Sequence, residues 1–118
     1  MNSGTFRHDV FVPSVWRGFY EETHVPAAIL AGDILCVTGH TGEDRDGAFS
    51  TDVETQIRGT FRNIAFTLAE AGADWSNVVQ LTSYHIGLQR QIPVMMAVAR
   101  EFLHDSAGLD GIRRDGTL

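Results

Sequence analysis

The stretch Ala31-Gly-Asp-Ile-Leu-Cys-Val-Thr-Gly-His-Thr-Gly42 constrains this chain more than any other. Gly32-Asp33 is a turn dipeptide. The apolar run Ile34 to Val37 follows it and breaks at Gly39 and Gly42. A short apolar run bounded by glycines reads as a buried strand. The strand ends in Thr38-Gly39-His40, which puts small polar groups and open backbone N–H groups at its carboxyl end. Strand ends of this kind are a common place for a ligand cleft in a mixed sheet.

Around this stretch the chain reads as one α/β unit. Thr5 to Val12 is an early edge strand stopped by Pro13. Val15 to Tyr20 is aromatic-rich and is read as packing over a sheet edge, with ligand contact as the alternative. Pro26 to Leu30 is a short strand that Gly32-Asp33 turns into the Ile34–Thr38 strand. Thr51-Asp-Val-Glu54 fits a capping box, with Thr51 as N-cap. Ile57, Phe61, Ile64 and Leu68 then recur on one helical face, so a helix is predicted over roughly Asp52 to Ala71, closed by Gly72. Gly59 inside it points to close packing. Val78 to Leu88 is rich in β-branched and aromatic residues and is predicted as a strand. A second helix is predicted from about Gln91 to Leu103, with Ile92, Met96, Ala99 and Leu103 on one face and Pro93 in its first turn. The order ββ(β)-α-β-α gives an α/β (α+β) sandwich with two helices on one sheet face.

Composition excludes several function classes. A chain of 118 residues holds one core. A net charge of −6 leaves no basic stripe for a nucleic-acid backbone. One cysteine, Cys36, excludes an internal disulfide, and its place between Leu35 and Val37 reads as a buried, inert thiol. No apolar run approaches the ~20 residues of a membrane span, and Met1-Asn2-Ser3-Gly4 opens no secretory signal. A cytoplasmic protein is expected.

The chemistry-bearing residues are few. His40 titrates near neutrality and can serve as acid or base. The alternative is a loop histidine held by hydrogen bonds. His24, His40 and His85 lack zinc-site spacing. Glu43, Asp44 and Asp46 lack the later glutamate of a calcium loop. No metal and no cofactor are therefore expected. Asn63 is read as bonding a neighbouring loop's backbone, and Met95-Met96 as core. No GxSxG, P-loop or paired-carboxylate motif is present.

Taken in order, several segments resemble the YjgF/RidA family of reactive-intermediate deaminases, also labelled L-PSP endoribonucleases. They are the 31–42 stretch, Asp46-Gly47, Gln56, Phe61-Arg-Asn63, Leu68-Ala-Glu-Ala-Gly72, Asp74-Trp-Ser-Asn-Val-Val79 and Leu81-Thr-Ser-Tyr-His-Ile86. The resemblance covers about residues 11–103. It implies a chorismate-mutase-like mixed sheet with two helices on one face, a homotrimer and ligand clefts between subunits. It also implies hydrolysis of enamines or imines, with a non-catalytic ligand-binding trimer as the alternative. Thr38-Gly39 matches the family's cleft-lining pair, and Thr38, Gly39 and His40 are the expected ligand contacts. The family's stacking tyrosine falls at Val25, beside His24. Its carboxylate-clamping arginine and its water-positioning glutamate have no counterpart, and Arg113 and Arg114 fall outside the pattern.

Periodicity stops after Leu103, and residues 104–118 read as an atypical tail with three glycines and three aspartates. Residues from about Ser106 are expected to be read in a shifted frame. With third bases chosen freely, the codons for 106–118 read one base later give Pro-Pro-Ala-Trp-Thr-Ala-Ser-Gly-Val-Thr-Glu-Leu. That string resembles a Pro-Ala-Trp-Thr-Ala-x-Gly-Val strand of one branch of the family. A trimmed or divergent C-terminus is the alternative.

Overall fold

A computed structural model describes residues 8–103. Strand β1 (His8–Phe11) is followed by a 3-10 turn (Ser14–Trp16) and helix α1 (Arg17–Thr23). Strands β2 (Ala28–Ala31) and β3 (Ile34–Val37) come next, then helix α2 (Val53–Glu70), a 3-10 turn (Trp75–Asn77) and helix α3 (Leu88–Leu103). The described strands form one antiparallel sheet in the order β1-β2-β3. Gly32 (φ +62°) makes the tight β2–β3 turn that pairs Ala31 with Ile34.

The register sorts the side chains onto two faces. Val10, Ile29 and Cys36 are cross-strand partners, as are Asp9, Leu30 and Leu35. Paired residues share a face and neighbours along a strand alternate. Phe11, Ala28, Leu30, Leu35 and Val37 therefore share one face, and Ala28 on it is fully buried. Val10, Ile29, Ala31, Ile34 and Cys36 share the other. Ile34 is 68% exposed there and Cys36 is exposed too, so the expectation of a buried thiol is corrected. The run 34–37 is apolar on both sides, but within the described chain only one side has a covering layer.

Helix α2 starts one residue later than its sequence pattern suggests. The N-cap is Asp52, not Thr51: Asp52 accepts hydrogen bonds from Thr55 N–H and Thr55 Oγ1. A carboxylate at the N-cap also faces the positive end of the helix. Glu54 reaches forward to Arg58 instead of back to the cap. The helix closes at Ala71, with Gly72 in the left-handed region (φ +77°) as expected of a C′ glycine. Helix α3 begins three residues before its predicted start, which places Pro93 in the second turn. The bond Pro93 cannot donate falls to the carbonyl of exposed Gln89, within reach of water.

The two helices meet through Ile57, Phe61, Met95, Val98, Ala99 and Leu103. The buried stripe of α3 thus runs through Met95 and Val98, while Ile92 and Met96 are half-buried. Trp75 and Phe102 extend this core, their rings 5.3 and 5.2 Å from that of Phe61. On the outer side Arg58 clamps both carboxylate oxygens of Glu101, at 2.8 and 2.7 Å.

The predicted strand at Val78–Leu88 is absent. Residues 78–85 are irregular, Ile86-Gly87 turns, and α3 begins at Leu88. Residues 81–86 nevertheless alternate between half-buried and exposed, as a strand would. A strand also needs a partner's backbone. Among the described residues none lies alongside this segment, which stands across a groove from the edge strand β3. No described helix is long and apolar enough to cross a membrane.

Candidate functional site

The groove between β3, α2 and residues 78–85 holds all three ligand contacts expected from the sequence, Thr38, Gly39 and His40. Its volume is about 1380 Å³. Leu35 and Val37 line one side of it, and Ile57, Phe61, Ile64 and Leu68 line another.

Close backbone contact brings the end of β3 onto α2. A Cβ at Gly42 would stand 2.1 Å from the carbonyl oxygen of Gln56, and a Cβ at Gly59 would stand 2.6 Å from that of Gly42. Only two glycines allow this approach, which accounts for Gly59 in the middle of a helix. Asn63, buried on the next turn, donates its amide to the carbonyls of Thr41 and Glu43, both at 2.9 Å. The loop is therefore stitched to the helix by a side chain as well as by contact.

His40 is fixed at both ring nitrogens. Nδ1 lies 2.7 Å from the carbonyl oxygen of Thr38, which can only accept, so Nδ1 carries the proton. Nε2 lies 2.7 Å from Thr67 Oγ1 and accepts its hydroxyl proton. Burial lowers the pKa of His40, against smaller raising effects from the Thr38 carbonyl and Glu43. The ring of Trp16 meets it edge-on at 5.4 Å. This geometry favours the loop-histidine alternative over an acid or base, since the Nε2 lone pair is already engaged.

Thr38 is similarly engaged. Its hydroxyl donates toward the carbonyls of Pro26 (2.9 Å) and Ala27 (3.1 Å), which holds the entry and exit of the β2–β3 hairpin together. Gly39 differs. It is exposed, and among the described residues its N–H has no partner. It is the exposed donor of the three: the His40 backbone N–H also has no partner among the described residues, but that residue is half-buried.

Other candidates lie apart from this cluster. His85 lines the groove but ties residues 83–91 together, with Nδ1 2.7 Å from Gln91 Oε1 and Nε2 3.0 Å from Ser83 Oγ. His24 caps α1 in the left-handed region (φ 60°), and Val25 is exposed. Asp44 spends its carboxylate on the N–H groups of Asp46 and Ala48 in its own loop. Arg113, Arg114 and the expected frame change lie outside the described residues. Sequence reasoning missed Trp16 and Thr67. A buried threonine beside Leu68, on the edge of the apolar stripe, is the one signal that could have shown the second.

Comparison with known proteins agrees with this architecture. The family described as Endoribonuclease L-PSP matches residues 19–109. The chain is 35% identical over 89 residues to the RutC family protein YjgH of Escherichia coli, covering 75% of this chain and 68% of that protein. It superposes on the solved structure of protein YjgH with a TM-score of 0.71 at 33% identity, covering 80% of this chain and 72% of the other. An L-PSP-type protein from Entamoeba histolytica aligns with a TM-score of 0.66 at 20% identity, covering 86% and 81% of the two chains. A Mycobacterium tuberculosis member of the YjgF family aligns at 0.62 and 20%, covering 83% and 75%. The family match spans the residues that carry the groove, the Gly42–Gly59 contact and the His40 clamp, and the chain belongs to the YjgF/RidA (Endoribonuclease L-PSP) family.

Proposed function

We propose that this protein binds a small carboxylate or carbonyl compound at the end of β3, against Thr38, Gly39 and His40, in a cleft between subunits of a homotrimer. The observation that carries the reading is the contrast within the triplet. The Thr38 hydroxyl and both ring nitrogens of His40 are engaged inside the fold, while exposed Gly39 offers an open N–H beside an apolar wall. Such a site orients a ligand oxygen by a backbone donor and supplies no poised base. The trimer is supported by the sheet face bearing Val10, Ile34 and Cys36. This face is apolar and exposed in the single chain, and a second copy would bury it.

A second reading is hydrolysis of a reactive enamine or imine. It is favoured by the position of Thr38-Gly39 on the groove wall, where the resemblance puts the family's cleft pair. A ribonuclease role, which the family description suggests, is opposed by the net charge of −6. Decay of an amino-acid-derived imine, with and without purified protein, separates the first two readings. No acceleration over buffer is expected. Saturable acceleration abolished by a competing small carboxylate would establish the second reading.

A further inference from the structure

The groove carries a second polar cluster, on the wall across from β3. Along residues 81–86, Leu81, Ser83 and His85 are half-buried, while Thr82, Tyr84 and Ile86 are exposed. Alternation therefore turns the Ser83 and His85 side chains to one side, and both line the groove. Gly87, in the left-handed region (φ +76°), then turns the chain into α3. That turn brings Gln91, in the first turn of the helix, back to His85. Gln91 Nε2 donates to the Ile86 carbonyl at 2.8 Å, so its Oε1 is the atom that faces His85. Oε1 lies 2.7 Å from Nδ1 and can only accept, so Nδ1 carries the proton. Nε2 is then the lone-pair nitrogen, and the Ser83 hydroxyl, 3.0 Å away, donates to it. His40 makes the same pair of bonds, but its hydroxyl partner Thr67 is fully buried. Ser83 instead stands on the groove wall.

We infer that Ser83 is an acyl-accepting nucleophile for the hydrolysis of esters of small apolar acids, with His85 as its general base and Gln91 as a positioning residue. The inference uses the far wall of the groove and is independent of ligand binding at Gly39. A serine nucleophile needs a base within hydrogen-bond reach and a third group that fixes the tautomer of that base. Here Nε2 meets the hydroxyl and Nδ1 meets the orienting oxygen, which is the division of roles this chemistry requires. Ser83 Oγ bonds to the ester carbonyl carbon as its proton passes to His85 Nε2. The bond to the alcohol oxygen then breaks, and His85 returns the proton to that oxygen. Water attacks the acyl-serine and gives one proton to Nε2. The acid is released as Oγ takes that proton back. The Ser83 N–H, with no partner among the described residues, can donate to the carbonyl oxygen as it becomes negative. Leu35, Ile57, Phe61 and Met95 in the lining suit an apolar acyl group. Gln91 is neutral, so it orients the ring without adding charge stabilisation to the imidazolium.

The test is incubation of the 118-residue chain with p-nitrophenyl butyrate, an activated ester. Release of p-nitrophenolate is followed, and acid-quenched protein is mapped by mass spectrometry. The chain has no lysine, so Cys36 and the amino terminus are the competing acyl acceptors. Saturable release and a butyryl group on Ser83 are expected. Ser83→Ala and His85→Ala, shown to be folded by their urea transitions, are expected to lose about a hundredfold in rate. Gln91→Leu is expected to slow release, and Gln91→Glu to exceed the parent, because a carboxylate also stabilises the imidazolium. A merely structural tie between Gln91 and His85 would not raise the rate. Release no faster than in buffer would overturn the inference. So would butyryl groups confined to Cys36 or the amino terminus, or undiminished release by folded Ser83→Ala. Should Ser83→Ala not fold, the site of the butyryl group in the parent decides alone.

Discussion

Thr67 Oγ1 lies 2.7 Å from Nε2 of His40, and Thr67 is fully buried. This contact joins the end of β3 to the last turns of α2, with Nδ1 of the same ring held by the Thr38 carbonyl. Thr67→Val keeps the shape and removes the donor. It leaves Nε2 unsatisfied in a partly buried site and is expected to cost about 1–3 kcal/mol. Urea unfolding of Thr67→Val beside Thr67→Ser measures it, the serine variant losing distinctly less.

The same contact fixes a pH dependence. Burial lowers the pKa of His40 from its ordinary value near 6.5. The unfolded chain therefore takes up this proton first as pH falls. The stability contributed by neutral His40 is complete above about pH 6.5 and is lost as pH falls from there toward the lower folded value. The difference in unfolding free energy between the parent and His40→Gln is expected to shrink over that interval and to stay constant above it. A difference that grows on acidification would mean that the ring is held as a cation.

Gly59 offers a test of sign. By helix propensity alone Gly59→Ala would stabilise α2 by about 1 kcal/mol. In the folded chain the new Cβ would stand 2.6 Å from the carbonyl oxygen of Gly42. The helix and the 39–44 loop would have to part, at a cost of about 1–3 kcal/mol. A lower thermal midpoint for Gly59→Ala is expected, together with altered amide shifts at Gly39 and His40.

The two candidate caps of α2 are separable by substitution. Asp52 holds the first turn through Thr55, and those hydrogen bonds lower its carboxylate pKa. Asp52→Ala is expected to lower the urea midpoint, and Thr51→Ala to leave it within error. The Asp52 contribution is present at neutral pH and is lost as pH falls through the carboxylate range.

Sequence alone carried α2, α3 and the hairpin, because each has a local cause, but not α1, where Val15–Tyr20 reads as aromatic packing over a sheet edge. The α2 stripe follows from a 3.6-residue period, the β2–β3 turn from Gly32-Asp33, and the polar triplet from a strand that ends in glycines. What it missed depends on distant partners. Thr51 and Asp52 are both good caps, and only the path of the loop chooses between them. Cys36 sits in an apolar run, yet its burial depends on what covers that sheet face. Residues 78–88 have the composition of a strand, but pairing belongs to the neighbouring backbone and not to the segment. The roles of Trp16 and Thr67 arise only when the Ser14–Trp16 turn, α2 and the end of β3 converge on His40.

The exposed sheet face gives an assembly test. Light scattering at micromolar concentration is expected to report three copies of the chain. Ile34→Asp, which places a charge on the apolar face beside the hairpin turn, is expected to shift the mass toward that of one chain. A monomeric parent would remove the proposed inter-subunit cleft.

The ligand site itself is tested most directly by titrating the protein with benzoate while following backbone amide resonances. The proposed site requires a saturable shift centred on the Gly39 amide. Smaller shifts are expected at Thr38 and His40, and none at the far end of the hairpin around Gly32. Saturable shifts confined to other residues, or none at Gly39 at any benzoate concentration, would contradict the assignment of the end of β3 as the binding site.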